Sequence, residues 1–118
     1  MTHLEDRVDA VRRVGRALAD PTRGRILLEL SEGPRYPSDL ADYLGATRAN
    51  ISNHLSCLLG CGLVTKVAEG RQVRYELAHP GLAHALNDLL GVVLAVDEHE
   101  HISPDADSDA DNGIGVAV

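Results

Sequence analysis

Aromatic side chains and long apolar runs are both scarce in this chain. Its 118 residues include no Trp, no Phe and only three Tyr, so the core is expected to be aliphatic. No run of about 18 or more apolar residues occurs, which predicts that no segment crosses a membrane. The N-terminus lacks the charged-then-apolar pattern of a secretory signal, so we expect a cytoplasmic protein. The length predicts one compact domain.

Basic residues are absent from the C-terminal end. Seven acidic residues and no Lys or Arg follow Val96, whereas the 11 basic residues of the chain are matched by 11 acidic ones before that point. The formal charge of −7 therefore belongs to the end of the chain, and residues 35–75 are mildly basic. A DNA-binding surface of modest charge is compatible with this distribution. Residues 103–118 are predicted to be an acidic, disordered tail, which leaves residues 1–102 as the folded domain.

The spacing of apolar residues predicts four helices in the first half of the chain. Residues 4–18 place apolar side chains on one helical face, and Asp20-Pro21 is a typical start for a second helix. Residues 36–45 predict a short third helix that ends at a glycine, and Thr47 is a typical N-cap for a fourth helix over residues 48–60. Two helices joined by a tight, glycine-containing turn are the helix-turn-helix pattern.

The periodicity then changes to that of extended strands. Residues 63–68 and 72–77 predict a hairpin with one wet face, and a long apolar helix is predicted after Pro80. That helix has more apolar side chains than one buried face requires, so we expect a homodimer formed through the first and last helices. The order α-α-α-α-β-β-α is mainly α with a β-hairpin wing, and it predicts a winged helix-turn-helix fold.

The fourth predicted helix is a candidate recognition helix, because such a helix enters the major groove with its N-terminal residues at the base edges. The candidates for base contacts are Thr47, Arg48, Asn50, Ser52, Asn53 and His54. Arg48 is suited to a guanine edge, and Asn50 or Asn53 to an adenine edge. Ser38, near the start of the preceding helix, is a candidate phosphate contact. The candidates for backbone or minor-groove contacts in the wing are Arg71, Gln72 and Arg74.

Cys57 and Cys61 fall on adjacent turns of the fourth helix, on one stripe with Asn50 and His54. Two thiolates in this arrangement can hold one soft metal ion. Two ligands from one helix do not complete a site, so a third donor must come from elsewhere. The alternative interpretation is a pair of buried, small apolar residues, either inert or redox-active.

Four segments occur in a fixed order along the chain: Arg16-Ala-Leu-Ala-Asp-Pro-Thr-Arg-Gly-Arg-Ile-Leu, Ser52-Asn-His-Leu-Ser-Cys-Leu, Gly62-Leu-Val and Glu69-Gly-Arg-Gln-Val-Arg-Tyr. In this order they resemble the ArsR/SmtB family of metal-responsive repressors. Residues 53–62 are most similar to the mycobacterial cadmium- and lead-sensing branch. The resemblance implies a homodimer that represses its operator when metal-free and dissociates when a metal binds.

The resemblance also implies a third cysteine in the C-terminal segment, but Ile102 falls where that cysteine is expected. His99 of the partner subunit or His101 of the partner subunit is our first candidate for the missing ligand, and His54 of the same helix is the second. Other donors nearby are Asp97 and Glu100. A histidine ligand predicts a shift of selectivity from lead and cadmium toward zinc or a mixed response.

Together these patterns predict a transcriptional repressor that binds operator DNA as a homodimer and leaves it when cadmium, lead or zinc binds. One alternative is a metal-independent or thiol-redox-responsive repressor with the same fold. Another is a winged helix that binds protein through solvated polar residues. No nucleophile–base constellation, glycine-rich phosphate loop or carboxylate pair indicates an enzyme.

Overall fold

The computed structural model describes the backbone of residues 3–102 and the side chains of residues 3–96, which form five helices and a two-stranded hairpin. In chain order the elements are α1 (Leu4–Ala19), α2 (Pro21–Ser31), α3 (Pro37–Leu44), α4 (Arg48–Gly60), β1 (Val64–Glu69), β2 (Gln72–Leu77) and α5 (Pro80–Ile102). This order confirms the predicted winged helix-turn-helix architecture. Residues up to Ala83 belong to one compact unit, and α5 from His84 onward belongs to a second. The predicted acidic tail, residues 103–118, lies outside the described residues.

Short polar and glycine signals set the ends of the helices. The carboxylate of Asp20 accepts hydrogen bonds from two backbone N–H groups in the first turn of α2, at 2.9 and 3.1 Å. The hydroxyl of Thr47 accepts one from the backbone N–H of Asn50 at 3.1 Å and so caps α4. Gly45 adopts φ 64° and ψ 37°, the left-handed conformation that ends α3. All three boundaries agree with the sequence-based predictions.

The core of the first unit is aliphatic, as predicted. Its largest fully buried side chains are Ile26, Leu27, Leu40, Ile51, Leu55 and Leu58. They come from α2, α3 and α4, so these three helices enclose the core together. Ile51, Leu55 and Leu58 share one face of α4, and burial of each side chain contributes about 1.5–3 kcal/mol. This face holds α4 on the core and leaves its opposite face to solvent.

A tight turn joins the two strands of the hairpin. The strands pair antiparallel, with Glu69 opposite Gln72 at the turn and Val64 opposite Leu77 at the other end. Gly70 has φ 61°, and no residue other than glycine has a positive φ among those described. A glycine with positive φ at the first central position is typical of a type II′ hairpin turn, whose twist matches that of the flanking strands.

The hairpin does not show the predicted alternation between a solvent-exposed face and a buried face. Val73, on the face predicted to be buried, is 37% exposed, whereas Arg74 and Glu76 on the other face are half-buried. Arg74 donates to Glu69 at 2.8 Å and lies 3.9 Å from a carboxylate oxygen of Glu76. Tyr36 donates its hydroxyl to the other oxygen of Glu69 at 2.5 Å. These contacts partly bury the polar side chains. The alternation of apolar and polar residues in the sequence does not reveal such contacts.

The predicted long C-terminal helix, α5, is present, and it begins at Pro80, inside the His79-Pro80-Gly81 segment that was expected to precede it. The backbone N–H of Gly81 donates to Nδ1 of His79 at 2.9 Å just before the first turn. Within residues 80–96, the exposed large apolar side chains of α5 are Leu89, Leu90, Val92, Val93, Leu94 and Val96. None of the helices described combines the length and the apolar character that a membrane span requires.

Candidate nucleic-acid interface and metal centre

The N-terminal half of α4 presents polar side chains to solvent. The exposed residues there are Thr47, Arg48, Asn50, Ser52 and Asn53. They lie away from the buried face of Ile51 and Leu55. Within residues 3–96, the side chains of Arg48, Asn50 and Asn53 have no hydrogen bond or ion pair, so they are free to meet the edges of bases.

The helix before the turn adds a second polar position. Ser38 is half-buried in the first turn of α3, directly after Pro37 at the first helical position. Backbone N–H groups in a first turn lack intrahelical partners and favour an anion. The predicted phosphate contact at Ser38 is therefore compatible with its position in α3.

The three wing candidates differ in their surroundings. Arg71 and Gln72 are exposed at the turn of the hairpin, where a DNA backbone can reach them. Arg74 is half-buried and forms ion pairs with Glu69 and Glu76. A DNA contact by Arg74 would require it to leave these carboxylates, so Arg71 and Gln72 are the better placed of the three.

His54 turns away from the exposed face of α4. Its side chain is 19% exposed, and its Nε2 lies 3.7 Å from a carboxylate oxygen of Asp20. Its Nδ1 lies 3.4 Å from Nη1 of Arg23. The guanidinium of Arg23 also donates through Nε to the carbonyl of Ala17 at 3.2 Å and through Nη2 to the carbonyl of Arg16 at 2.7 Å. His54 thus packs against residues 16–23, which we call the α1–α2 corner. This position favours a structural role over a base contact.

The charge of Asp20 is stabilised in this corner. The hydrogen bond from the backbone N–H of Arg23 lowers the pKa of the Asp20 carboxyl below its ordinary value, and partial burial opposes that effect. The nearby His54 and a second backbone hydrogen bond lower the pKa further. Asp20 is therefore an anion near neutral pH and joins the cap of α2 to the middle of α4.

The two cysteines lie together at the C-terminal end of α4. Cys57 is half-buried and Cys61 is 8% exposed, and neither forms a disulfide. Burial raises the pKa of the Cys61 thiol, and the neighbouring Cys57 raises it further by its charge and by a side-chain hydrogen bond. The charges of Arg16 and Arg23 act in the opposite direction. The two cysteines are four residues apart at the end of one helix, a spacing at which side chains are neighbours on the helix surface.

The described side chains supply only two of the donors that a soft ion needs. Among them, no group of three or more His, Cys, Asp and Glu residues is close enough to hold a metal. His54, the second candidate for the third ligand, is already engaged by Asp20 and Arg23. The backbone of α5 includes His99 and His101, but their side chains lie outside the described part of the chain. The chemistry of two thiols suits a thiophilic ion, and a complete site for one would need further donors from beyond residue 96 or from a second copy.

The role of Arg23 is not visible in the sequence. Its position three residues after the N-cap Asp20 indicates only that its backbone N–H faces that carboxylate. The contact with His54 joins residues 31 positions apart and arises from the packing of α2 against α4. The one local signal that marks Arg23 is its basic charge close after a helix N-cap, a position where cations are uncommon.

A helix-turn-helix whose second helix exposes polar side chains, followed by a two-stranded wing, defines a winged helix-turn-helix DNA-binding protein. Residues 20–66 match the family model described as bacterial regulatory protein, arsR family. The chain belongs to this ArsR family. It is 62% identical over 97 residues to the HTH-type transcriptional regulator CmtR of Mycobacterium tuberculosis, a match that covers 82% of each chain. This relative is a transcriptional regulator, not an enzyme.

Two solved structures support the same assignment. The NMR structure of the cadmium metal-sensor CMTR from Mycobacterium tuberculosis is 63% identical, with a TM-score of 0.61 over 70% of this chain and 85% of that one. A homodimeric winged helix-turn-helix DNA-binding domain, Mb0332 from Mycobacterium bovis, is 35% identical. Its TM-score is 0.69 over 81% of this chain and 86% of that one. These similarities confirm the predicted family and fold.

Proposed function

We propose that this regulator represses transcription as a homodimer on operator DNA and leaves the DNA when a thiophilic ion binds Cys57 and Cys61. The observation that carries the proposal is the position of the thiol pair on α4, the same helix that exposes the polar residues suited to bases. The similarity to a cadmium metal-sensor supports it. We expect the protein to act in the cytoplasm, where an operator is accessible.

The exposed end of α4 reads DNA in this proposal. Base edges are contacted by Thr47, Arg48, Asn50, Ser52 and Asn53, and phosphates by Ser38, Arg71 and Gln72. Asparagine and arginine side chains offer the paired donors and acceptors that distinguish adenine and guanine in the major groove. Arg74 contributes indirectly, because its ion pair with Glu69 holds the wing in shape.

The proposed effector is cadmium, lead or zinc, since two sulfurs favour soft ions. His99 of the partner subunit or His101 of the partner subunit supplies a third donor from the end of α5. A nitrogen donor beside two thiolates is an arrangement that zinc accepts as well as cadmium. Because burial raises the pKa of Cys61, its thiol is protonated near neutral pH and releases that proton when the ion binds.

A second copy of the chain is the proposed partner of the apolar surfaces on α1 and α5. The exposed apolar residues of α1 are Leu4, Val8, Val11 and Val14, and those of α5 include Leu89, Val92 and Leu94. Exposed apolar side chains in this number mark an interface. The homodimeric Mycobacterium bovis relative supports a dimer here.

The test replaces one sulfur at a time and measures release from DNA. Duplexes are first selected from a random pool by the reduced, metal-free protein, and their dissociation constant is then measured by fluorescence anisotropy with and without cadmium. Cadmium is expected to weaken wild-type binding about 5- to 150-fold, the usual range of allosteric coupling. Cys57→Ser and Cys61→Ser should bind metal-free DNA normally and lose the response, because one sulfur cannot retain the ion.

Thiolate-to-metal charge-transfer absorbance measures ion binding in the same samples. A His99→Ala and His101→Ala double variant should weaken this binding while the metal-free affinity for DNA stays unchanged. The proposed site is wrong if Cys57→Ser releases DNA at the same cadmium concentration as the wild type. A reduced wild-type dimer that ignores cadmium, lead and zinc but holds its DNA supports the alternative, a metal-independent or thiol-redox-responsive repressor.

A further inference from the structure

The recognition helix has one polar attachment to the rest of the fold. Among residues 3–96, His54 is the only α4 side chain with a hydrogen bond or ion-pair contact to another element, through Arg23 at 3.4 Å and Asp20 at 3.7 Å. The other contacts of α4 with the core are apolar and involve Ile51, Leu55 and Leu58. Apolar packing is not directional, whereas a hydrogen bond constrains both the distance and the direction between two groups. His54 therefore gives α4 a directional contact beside the apolar face that holds the helix on the core, and we call it the fixed point of α4.

The partner of His54 is itself held firmly. The guanidinium of Arg23 donates to two carbonyls at the end of α1, at 3.2 and 2.7 Å, and its third nitrogen meets His54. Five donors in a planar fork allow one arginine to satisfy all three contacts at once. The backbone N–H of Arg23 is bound by Asp20 as well. The α1–α2 corner thus offers His54 a rigid anchor.

The fixed point lies near the middle of the 13-residue helix. With a rise of about 1.5 Å per residue, His54 is about 9 Å from Arg48 and about 10 Å from Cys61. A helix of this length moves as a rigid rod. A displacement of the thiol end about His54 therefore moves the DNA-reading end by a similar distance in the opposite direction.

From this geometry we infer that Arg23 and His54 are positioning residues that transmit ion binding at Cys57 and Cys61 to the DNA-reading end of α4. The ion draws both sulfurs toward its further donors, and α4 turns about His54. The side chains of Arg48 and Asn50 then leave the positions that match the base edges. The inference rests on the proposed function, because it requires an ion at the thiol pair.

The experiment compares the ratio of DNA dissociation constants with and without cadmium among variants of residue 54. His54→Leu removes both polar contacts and leaves the caps made by Asp20 and Arg23 in place. His54→Gln restores them, because its amide can accept from Arg23 and donate to Asp20. Ser56→Ala, at an exposed position of α4, is the matched control. Charge-transfer absorbance establishes that cadmium saturates each variant.

His54→Leu is expected to reduce the cadmium-induced ratio at least about fivefold, whereas His54→Gln and Ser56→Ala keep the wild-type ratio. Arg23→Lys retains the charge but not the fork, and it should reduce the ratio in the same direction. Arg23→Lys tests the same contact between Arg23 and His54 if His54→Leu does not fold.

Three results would overturn the inference. One is a wild-type ratio in both His54→Leu and Arg23→Lys, since a merely structural role shifts both dissociation constants by the same factor. Another is a loss in His54→Gln as large as in His54→Leu. The last is a wild-type protein that keeps its DNA at saturating cadmium, which overturns the proposed function and this inference with it.

Discussion

Single residues in this protein serve more than one element. Asp20 caps α2 through two backbone N–H groups, and the same carboxylate lies 3.7 Å from His54 on α4. Arg23 closes the end of α1 with its guanidinium and meets the same histidine. A substitution at either position therefore reaches three helices, and its effect on stability should depend on charge as well as on shape.

The charge of Asp20 predicts a pH-dependent effect of Asp20→Asn. A backbone hydrogen bond lowers the pKa of this carboxyl in the folded protein, so its contribution to stability is present above its ordinary value of 3.8 and is lost as the pH falls through the lower folded value. Asparagine is also a good N-cap, so the variant removes mainly the charge. The variant should be less stable than the wild type at neutral pH, and the difference should shrink in acid.

Urea unfolding followed by far-ultraviolet circular dichroism measures this difference across the acidic range. Asp20→Ser, which also caps without a charge, should follow the same pH dependence as Asp20→Asn. A difference from the wild type that stays constant between neutral pH and pH values below about 3 would contradict the assigned role of the charge.

At the scale of elements, glycines act differently in a helix and in the hairpin turn. Gly24 lies inside α2, and nothing stands within 4 Å of a Cβ placed there. Gly70 has φ 61° at the turn between β1 and β2, a conformation that an L side chain rarely adopts. The same change to alanine should therefore stabilise one element and strain the other.

Gly24→Ala should raise the free energy of unfolding by about 0.5–1 kcal/mol, because alanine loses less backbone entropy in a helix. Gly70→Ala should lower it by about 1–2 kcal/mol and weaken DNA binding, because the wing that carries Arg71 changes its turn. Chemical denaturation and anisotropy on the same DNA measure both effects. Equal signs for the two stability changes would contradict this interpretation of the turn.

The elements themselves could be predicted from the sequence because their signals are local. Asp20, Gly45 and Thr47 each mark a helix end through contacts within about one turn, and those ends lie where predicted. The stripe shared by Cys57 and Cys61 follows from the helical period alone. These parts of the fold and site need no knowledge of tertiary packing.

Other parts could not be predicted because they depend on contacts between distant elements. His54 is a plausible base contact by position, but packing turns it toward Arg23, 31 residues away. The alternation of residues along the strand places Arg74 on the solvent-exposed face, but it lies half-buried beside Glu69 and Glu76.

On the scale of the whole molecule, the exposed apolar residues of α5 predict a dimer that fails when one of them is charged. Val92 is 63% exposed and Leu94 is 60% exposed, which is unfavourable for a free monomer in water. Val92→Glu should shift the protein from dimer to monomer, because a carboxylate buried against a second copy is costly. Its affinity for DNA should fall, since two recognition helices no longer bind together.

Sedimentation equilibrium measures the association, and anisotropy measures the loss of DNA affinity. Asn87→Glu places the same charge at an exposed polar position of α5 and should leave the dimer intact. If Val92→Glu sediments as the wild type does, the dimer forms through another surface.

In the proposed function, the thiol pair and the side chains that contact bases lie on α4 and its two cap residues, Thr47 and Cys61. Under that proposal, a substitution of either cysteine also alters the helix that selects the DNA sequence. A graft of residues 47–61 into a related scaffold would then transfer the preference for a DNA sequence together with two of the ion's donors, and the scaffold would have to supply the others.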